Sequence, residues 1–375
     1  TTGIVINAAQ TLAPRLIHNT FLNIDTTGID LLGAMIGAQI TDNLFSVVGI
    51  GGYFRSALSL SAANSTLFEN NTILRSPNFV ILSGELNNTM IRRNILGNST
   101  DRGITFGSGN IIGLTIQNNS FSSLPGTGSD CIEDFIPGNR NINNTLIQDN
   151  IFIGCDRYAI SFGNSGFREN TTIIANTFLS NTNLLTQTGA YALDLRGSNL
   201  SKLFILGNIF NNSRTLITGN ANTIILANNT IINPNEGIVI SHSQNVVVKD
   251  TRIANTSIAL QIANITNLSI DHINITSSML GINISTGKNN IISDITFENM
   301  HGTSLYLTDT LNTTITNTLA PPPVLIESWA RSSINYTAKT NFSLKVPLLT
   351  YINLTMNHIF VNSTYAPGLN TSAIL

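Results

Sequence analysis

A segment of 22 or 23 residues recurs along the chain, and this repeat limits the possible folds more than any other feature. Each copy begins with Asn and continues with short apolar runs. Four consecutive copies are Asn222–Gln244, Asn245–Thr266, Asn267–Lys288 and Asn289–Leu311. Weaker copies, separated by insertions, begin near Pro14, Asn64, Asn87, Asn144 and Asn170. About a dozen copies therefore cover residues 14 to about 318.

Each copy is predicted to contain three short strands. In the copy that begins at Asn267, apolar residues such as Ile270, Ile273 and Ile275 alternate with polar ones, and Asn or Gly separates the runs. A helical spacing of apolar residues is nowhere sustained. Three strands per copy form one coil of a solenoid. At about 4.8 Å per coil, a dozen coils would make a rod of roughly 60 Å.

The pattern Asn-x-Ile, followed later by Gly-Ile, resembles the right-handed parallel β-helix of the pectin-lyase-like superfamily. Examples are Asn267-Leu-Ser-Ile and Gly281-Ile282, and the resemblance covers about four fifths of the chain. It implies an all-β fold class, a single-stranded right-handed parallel β-helix of about 12–13 coils. That fold hosts lyases, hydrolases, phage tailspikes, adhesins and inert surface proteins, so it does not determine function.

Asn residues recur in register from copy to copy. The resemblance implies that their side-chain amides form a hydrogen-bonded ladder at a buried corner of the coils. The alternative is that Asn is used only because it tolerates turn conformations. The residues in register are Asn222, Asn245, Asn267, Asn289 and Asn312.

The composition excludes several classes of function. Only 10% of the residues are charged, where roughly a quarter is typical, and the net charge is -2. No basic surface for nucleic acid is predicted, and no polybasic membrane patch. The most apolar windows, such as Leu44–Gly52, are too short to span a membrane. The start at Thr1, without Met, favours a processed mature N-terminus.

Asn-x-Ser/Thr sequons occur throughout the chain and favour an extracellular or cell-surface protein with N-linked glycans. Asn255 and Asn274 are expected on outward positions, whereas the sequons at Asn267 and Asn312 should stay bare if their amides form an inward ladder. The candidate glycosylation sites are Asn64, Asn70, Asn87, Asn98, Asn118, Asn143, Asn170, Asn199, Asn211, Asn228, Asn255, Asn264, Asn274, Asn283, Asn335, Asn341, Asn353, Asn362 and Asn370.

The two cysteines, Cys131 and Cys155, are separated by about one coil, which would bring them onto neighbouring turns. A disulfide is favoured over two free thiols, given the composition of a surface protein.

Charged residues concentrate in three segments: SDCIEDF (129–135), GCDRYAISF (154–162) and YALDLRGSN (191–199). Aligning the segments YAIS and YALD puts Glu133, Ser161 and Asp194 at one position of consecutive coils. Carboxylates two coils apart would be about 9.6 Å from each other, at the edge of the separation for an inverting glycosidase. If the protein is an enzyme, the candidate catalytic residues are Glu133, Asp194, Asp156 and Arg157. The alternative is that Asp156 and Arg157 form only a surface ion pair.

Other catalytic signatures are missing from the sequence. The paired-Asp and Gly-His-Gly motifs of the family's pectin hydrolases do not occur, and no Asp-rich loop is similar to the calcium site of its lyases. The five histidines fall at different positions of the repeat, so no metal site is predicted, and no cofactor is predicted either.

Three regions are predicted: an N-terminal strand or cap at 1–13, the parallel β-helix at 14–318, and a C-terminal β extension at 319–375. The extension begins at Pro321–Pro323, which should end regular strand pairing. It would either cap the last coil or bind a neighbouring subunit by strand addition.

The features together favour an extracellular structural protein, a subunit of a filament, sheath or surface layer that self-associates into a homopolymer and carries out no chemistry. The alternative is a polysaccharide-degrading (hydrolase or lyase) or glycan-binding β-helix that uses the face around Glu133 and Asp194. A viral fibre or adhesin would share the fold and differ only in its partner.

Overall fold

The computed structural model describes residues 3–7, 11–49, 55–98, 102–124, 130–134, 141–155, 157–162, 167–180, 191–195, 199–318, 324–327, 334–336, 341–343, 353–354, 359–360 and 372–374. All secondary-structure elements in these residues are β-strands. The described residues include no helix that is long and apolar enough to cross a membrane. The chain divides into two compact units, Thr1–Ser213 and Arg214–Leu375.

Strands of the first unit pair in parallel with the strands one coil away, and they form two sheets. The strands of the larger sheet are Ile4–Asn7, Thr11–Leu12, Arg15–Ile17, Ile29–Ile36, Gln39–Thr41, Ser56–Asn64, Leu67–Glu69, Asn78–Ser83, Leu86–Asn87, Met90–Arg92, Arg102–Phe106, Ile111–Ile112, Thr115–Gln117, Asp130–Asp134, Asn141–Gln148, Tyr158–Ser161, Phe167–Ile174, Tyr191–Asp194 and Asn199–Leu206. The strands of the narrower sheet, here called the lateral sheet, are Thr20–Ile24, Leu44–Val48, Thr72–Leu74, Ile95–Gly97, Ser120–Leu124, Ile151–Cys155, Thr177–Leu179 and Ile209–Asn211.

The second unit has the same organisation with longer, more regular strands. Its larger sheet contains Arg214–Ala227, Glu236–Lys249, Ile258–Asp271, Leu280–Ser285, Lys288–Ser293, Thr303–Thr308, Leu311–Thr316, Val324–Glu327 and Ile334–Tyr336. Its narrower sheet contains Thr230–Ile232, Arg252–Ala254, Asn274–Thr276 and Thr296–Glu298. Parallel pairing of strands in successive coils confirms the predicted all-β, parallel β-helix.

The interior of each unit is filled by apolar side chains from alternate strand positions, because successive residues of a strand point to opposite faces. In the first unit, phenylalanines stack from coil to coil behind the lateral sheet: the ring centroids of Phe121 and Phe152 are 4.8 Å apart, and those of Phe178 and Phe210 are 4.7 Å apart. These spacings match the spacing between strands, so each ring packs on the ring of the next coil.

Corners between the strands use the left-handed backbone conformation, even in residues other than glycine. At the corner before the lateral sheet, φ is 54° at Asn70, 57° at Arg93 and 54° at Asn118. Short polar side chains tolerate this conformation best, which accounts for much of the Asn content at the turns.

Immediately after this corner, the first unit contains a buried asparagine ladder. The Nδ2 of each Asn donates to the Oδ1 of the Asn one coil later, for example from Asn119 to Asn150 at 3.0 Å and from Asn150 to Asn176 at 3.0 Å. The same amides also bond backbone carbonyls, as Asn150 does with Ile116 at 2.8 Å. The members of the ladder are Asn19, Asn43, Asn71, Asn94, Asn119, Asn150, Asn176 and Asn208.

The ladder that we predicted lies elsewhere and is exposed. In the second unit, Nδ2 of Asn245 donates to Asn222 at 2.9 Å, and the chain of amides continues through Asn267, Asn289 and Asn312. The hydrogen bonds exist, but the prediction of a buried corner was wrong, because these residues occupy a left-handed corner whose side chains point outward.

The ends differ in part from expectation. Ile4–Asn7 pairs in parallel with Ile29–Ile36 and so belongs to the stack. Beyond Pro321–Pro323, Val324–Glu327 and Ile334–Tyr336 still pair in parallel with the preceding coil, so the prolines do not end the pairing. Two short antiparallel pairs follow: Asn341–Ser343 with Ser372–Ile374, and Asn353–Leu354 with Ile359–Phe360.

Replacing Asn150 with Ala should destabilise the first unit by at least about 2 kcal/mol, because several buried donors and acceptors would lose their partners. The matched control is Asn289→Ala in the exposed ladder, where water replaces the lost bond and the cost should be below about 0.5 kcal/mol. Urea unfolding of both variants measures the difference. Equal losses would contradict a special role for the buried ladder.

Candidate functional site

Three adjacent strands of the larger sheet bring acidic residues together in the first unit. Glu133 pairs with Ser161, and Ser161 pairs with Asp194, so the three residues occupy one outward position on consecutive coils. Glu133 is 6% exposed and Asp194 is 2% exposed. We call Arg102, Asp130, Glu133, Arg157, Ser161 and Asp194 the Glu133 cluster.

Two arginines contact the Glu133 carboxylate from opposite sides. Arg102, at the start of the preceding strand, donates from Nε to one carboxylate oxygen. Arg157, on the following coil, donates from a terminal nitrogen to the other oxygen at 2.8 Å. The Arg157 guanidinium lies 5.0 Å from the centroid of the Tyr158 ring, a cation–π contact that helps to orient it.

Asp130 is completely buried and holds Arg157 in place. Arg157 donates two parallel hydrogen bonds to it, at 2.9 and 2.7 Å, and the Tyr158 amide donates a third at 3.2 Å. Burial raises the pKa of the Asp130 carboxyl to about 8; the bond from Arg157 opposes this change, and the Glu133 charge adds to it. The hydrogen bond to Asp130 raises the pKa of Arg157.

Next to the cluster, Asp134 and Arg168 form an ion pair inside the coil. Neither side chain is exposed, and the Arg168 guanidinium also lies 4.9 Å from the centroid of the Phe162 ring. Burial lowers the pKa of Arg168 to about 10, so it remains charged at neutral pH.

All buried charged side chains of the described residues are found in this region: Asp130, Glu133, Asp134, Arg168 and Asp194. Removing charges from water costs free energy that ion pairing only partly returns. The coils here are also longer than elsewhere: ladder partners are 31 residues apart at Asn119–Asn150 and 32 at Asn176–Asn208, against 22 at Asn245–Asn267.

A disulfide joins two coils at the cluster. Cys131 and Cys155 are bonded, and their Cα atoms are 5.8 Å apart. Cys131 lies between Asp130 and Ile132 on the strand that carries Glu133, so the bond restrains the strand that presents the acidic residues.

Sequence reasoning located part of this cluster. It named Glu133, Asp194 and Arg157, which the structure places on neighbouring coils. Asp156 lies outside the described residues. Arg102 and Arg168 were missed. Extending the alignment one coil backwards, where Ile104 pairs with Ile132, would have placed Arg102 near the cluster.

The sequons divide by the environment of their Asn. Asn70, Asn98, Asn118 and Asn228 are exposed, whereas Asn87, Asn143, Asn211, Asn274 and Asn283 are half-buried. Asn255 is exposed, as its outward position predicted, and its amide donates to Asn233 at 3.0 Å. The side chains of Asn335, Asn341, Asn353, Asn362 and Asn370 lie outside the described residues.

One histidine lies near two acidic residues in the second unit, which the spacing of the histidines did not predict. His272 Nδ1 is 2.7 Å from Asp271 Oδ2, and the ligand atoms of Asp271, His272 and Asp294 all lie within 4.8 Å of one another. The bond to Asp271 raises the pKa of His272, and the bond from Ser293 lowers the pKa of Asp271. His272 is exposed, so the group is a solvated cluster on the surface.

Comparison with known proteins supports the fold. A family model described as "Right handed beta helix region" matches residues 216–320, which confirms the predicted type of repeat. No curated protein matches the chain.

Two solved structures illustrate similar folds. A complex of the alginate lyase AlyF-OU02 is 14% identical, with 84% of this chain and 82% of that chain covered and a TM-score of 0.42. Tailspike protein 3 of bacteriophage CBA120 is 10% identical, with 95% of this chain and 56% of that chain covered and a TM-score of 0.30.

Replacing Arg168 with Met should destabilise the first unit by about 3–5 kcal/mol, because Asp134 would remain as a buried charge without its counter-ion. The double variant Arg168→Met/Asp134→Leu should recover most of this loss, since neither charge is then buried. Urea unfolding of the two variants measures both effects. A single variant as stable as the wild type would show that the pair is solvated.

Proposed function

We propose that the chain is an extracellular β-helix that binds a polysaccharide across the Glu133 cluster and hydrolyses it there. The observation that carries this proposal is the concentration of all buried charges of the described residues in one region of the first unit. Buried charged groups in a cleft or on one face are frequent at functional sites.

The second unit has an uncharged residue at the position that corresponds to Glu133. In the first unit, Glu133 lies at an outward position between the core residue Ile132 and Asp134. In the second unit, the corresponding outward position, between Ile238 and Ile240, is occupied by Val239, which pairs with Gln261 on the next coil. Uncharged residues at this position are therefore compatible with the fold, so stability alone does not require Glu133 and Asp194.

The spacing of the two carboxylates fits hydrolysis with inversion. Glu133 and Asp194 are two strand spacings apart, or about 9.6 Å, at the upper end of the range in which one carboxyl protonates the leaving oxygen and the other activates water. The residue between them, Ser161, has a small side chain. Arg157, partly exposed and oriented by Asp130, offers donors for the hydroxyl or carboxylate groups of the sugar.

Glu133→Gln should reduce sugar release from a cleaved polysaccharide by at least about 100-fold, because the amide can neither donate a proton nor activate water. A panel of neutral and acidic polysaccharides, assayed for new reducing ends, identifies the substrate. The control is Glu169→Gln in the same unit, where Glu169 is 39% exposed and contacts Lys202 at 2.9 Å. It should retain wild-type activity and the same melting curve.

The outcomes separate binding from chemistry. Binding without cleavage, abolished by Glu133→Gln in affinity electrophoresis, would overturn hydrolysis and retain recognition. If the wild-type protein neither binds nor cleaves any member of the panel, both parts of the proposal fail. Loss of activity in Glu169→Gln would indicate a general effect on folding rather than a role of Glu133.

A second candidate is the structural surface protein, a subunit of a filament, sheath or surface layer. The second unit favours it: its described residues include no buried charged side chain, its coils are regular, and its exposed amides form the ladder from Asn222 to Asn312. N-linked glycans on exposed corners and the Cys131–Cys155 disulfide would suit an extracellular location.

Intact mass spectrometry of the protein from its native source tests this location. The mass should exceed the 40.3 kDa of the polypeptide and fall after enzymatic removal of N-glycans. We expect glycans on Asn98 and Asn118, whose side chains are exposed, and none on Asn255, whose amide is used within a ladder. A mass equal to that of the bare polypeptide would contradict glycosylation.

A further inference from the structure

The outward residues that the structure describes on the lateral sheet of the first unit include no charged side chain. On each of its strands, two residues point outward on either side of a buried core residue, as Ile151 and Ile153 do around Phe152. The outward residues from Thr20 to Asn211 are aliphatic residues, Ser, Thr, Gly and one Asn. A face of a β-helix without charge is suited to a contact with another apolar surface.

Several aliphatic side chains on this face are unusually exposed. Leu22 is 55% exposed, Ile95 53%, Ile209 45% and Ile151 43%. Six of the large hydrophobic residues that are most exposed in the described chain lie on this sheet, namely Leu22, Leu44, Ile95, Ile151, Ile153 and Ile209. Single exposed apolar residues are ordinary, but a contiguous group marks an interaction surface.

The first outward position alternates regularly between a small hydroxyl residue and a large aliphatic residue along the stack. The small residues are Thr20, Thr72, Ser120 and Thr177. The large residues between them are Leu44, Ile95, Ile151 and Ile209. Every member pairs in register with the next, so the column is a row of ridges and hollows that repeats every second coil.

This alternation makes the face complementary to itself. We propose that the lateral sheet binds the lateral sheet of a second copy of this chain, with the two stacks antiparallel. A two-fold axis parallel to the strands, placed between Ile95 and Ser120, sets Ile95 of one copy against Ser120 of the other. The same axis opposes Thr72 to Ile151, and each remaining large residue of the column to a small one.

A parallel arrangement fits less well. It would oppose the two outward residues of the same coil, which brings Ile151 against Ile153 and Ser120 against Ser122. At these two coils, residues of like size would meet, whereas other coils, such as that of Leu44 and Ser46, would pair large with small. The antiparallel arrangement opposes a large to a small residue at every coil of the first outward position. In the antiparallel arrangement, the second outward position contributes an apolar contact between Leu74 and Ile153.

The size of the face suits a small dimer interface. Eight strands at about 4.8 Å extend over about 38 Å, and strands of three to five residues at about 3.3 Å per residue give a width of about 10–16 Å. The resulting area of about 400–600 Å² per partner lies at or below the lower limit of standard specific interfaces. Because the face lacks charge, its burial leaves no ion without a partner.

Sedimentation velocity of the full chain at micromolar concentration tests the proposal. The wild-type protein should be a dimer, and Ile95→Lys/Ile151→Lys should raise the dissociation constant by at least about 100-fold, because two ammonium groups per copy would be buried. The matched control is Ile291→Lys in the second unit, where the side chain is 51% exposed and lies outside this face. It should remain dimeric.

Cross-linking tests the orientation. The two native cysteines are bonded to each other, so Thr72→Cys and Ile151→Cys would each introduce one free thiol. Facing sheets pack about 10 Å apart, which is too far for a disulfide but within reach of a short bis-maleimide. This reagent should cross-link an equimolar mixture of the two variants, whereas neither variant alone should be cross-linked. Cross-linking of either variant alone would overturn the antiparallel arrangement.

The remaining outcomes show whether the lateral sheet is the contact surface of the dimer. A monomeric wild-type protein, or a double lysine variant that stays dimeric, would overturn the proposal. Sedimentation of a monomeric protein with an insoluble polysaccharide would assign the face to a flat solid instead of a second copy. Glu133→Gln should remain dimeric, so this proposal stands or falls independently of the proposed hydrolase.

Discussion

The coils depend on hydrogen-bond partners for the backbone N–H and C=O groups at their corners. Each coil must turn several times within about 22 residues, and a turn leaves backbone N–H and C=O groups without partners in the same strand. The first unit meets this need with left-handed residues followed by a buried Asn whose amide bonds the next coil and two carbonyls. The stack of Phe121, Phe152 and Phe178 can then form, because every coil returns to the same register.

This solution changes along the chain. At the position of the buried ladder, the second unit begins with Asn229 and then has Thr251 and Ile273, all buried. In the second unit, the side-chain hydrogen bonds between coils lie instead at the exposed corner formed by Asn245, Asn267 and Asn289. Coils that need no buried amide keep a nearly constant length, whereas the first unit combines its ladder with long and variable coils around Glu133.

The length of the first-unit coils is related to its chemistry. Inserted residues lie next to the strands that carry Asp130, Glu133 and Asp194, and these strands hold the buried charges. Arg102, on one coil, and Arg157 and Arg168, on another, compensate those charges. Such an arrangement lowers stability relative to an aliphatic surface, and this cost is the physical reason for the function that we propose at the Glu133 cluster.

The sequence alone determined the fold class, since the 22-residue period and the alternation of apolar residues leave a solenoid of short strands as the only regular structure. It also determined which carboxylates share a position, because an alignment of repeats is already an alignment in space: Glu133, Ser161 and Asp194 could be placed without coordinates. The burial of a side chain could not be predicted from the alignment of the repeats. Whether an Asn at a corner points inward, as Asn150 does, or outward, as Asn267 does, depends on a one-residue difference in backbone conformation. The pairing of Arg168 with Asp134 also required the tertiary structure, because coils of unequal length bring residues together at separations that no fixed period predicts.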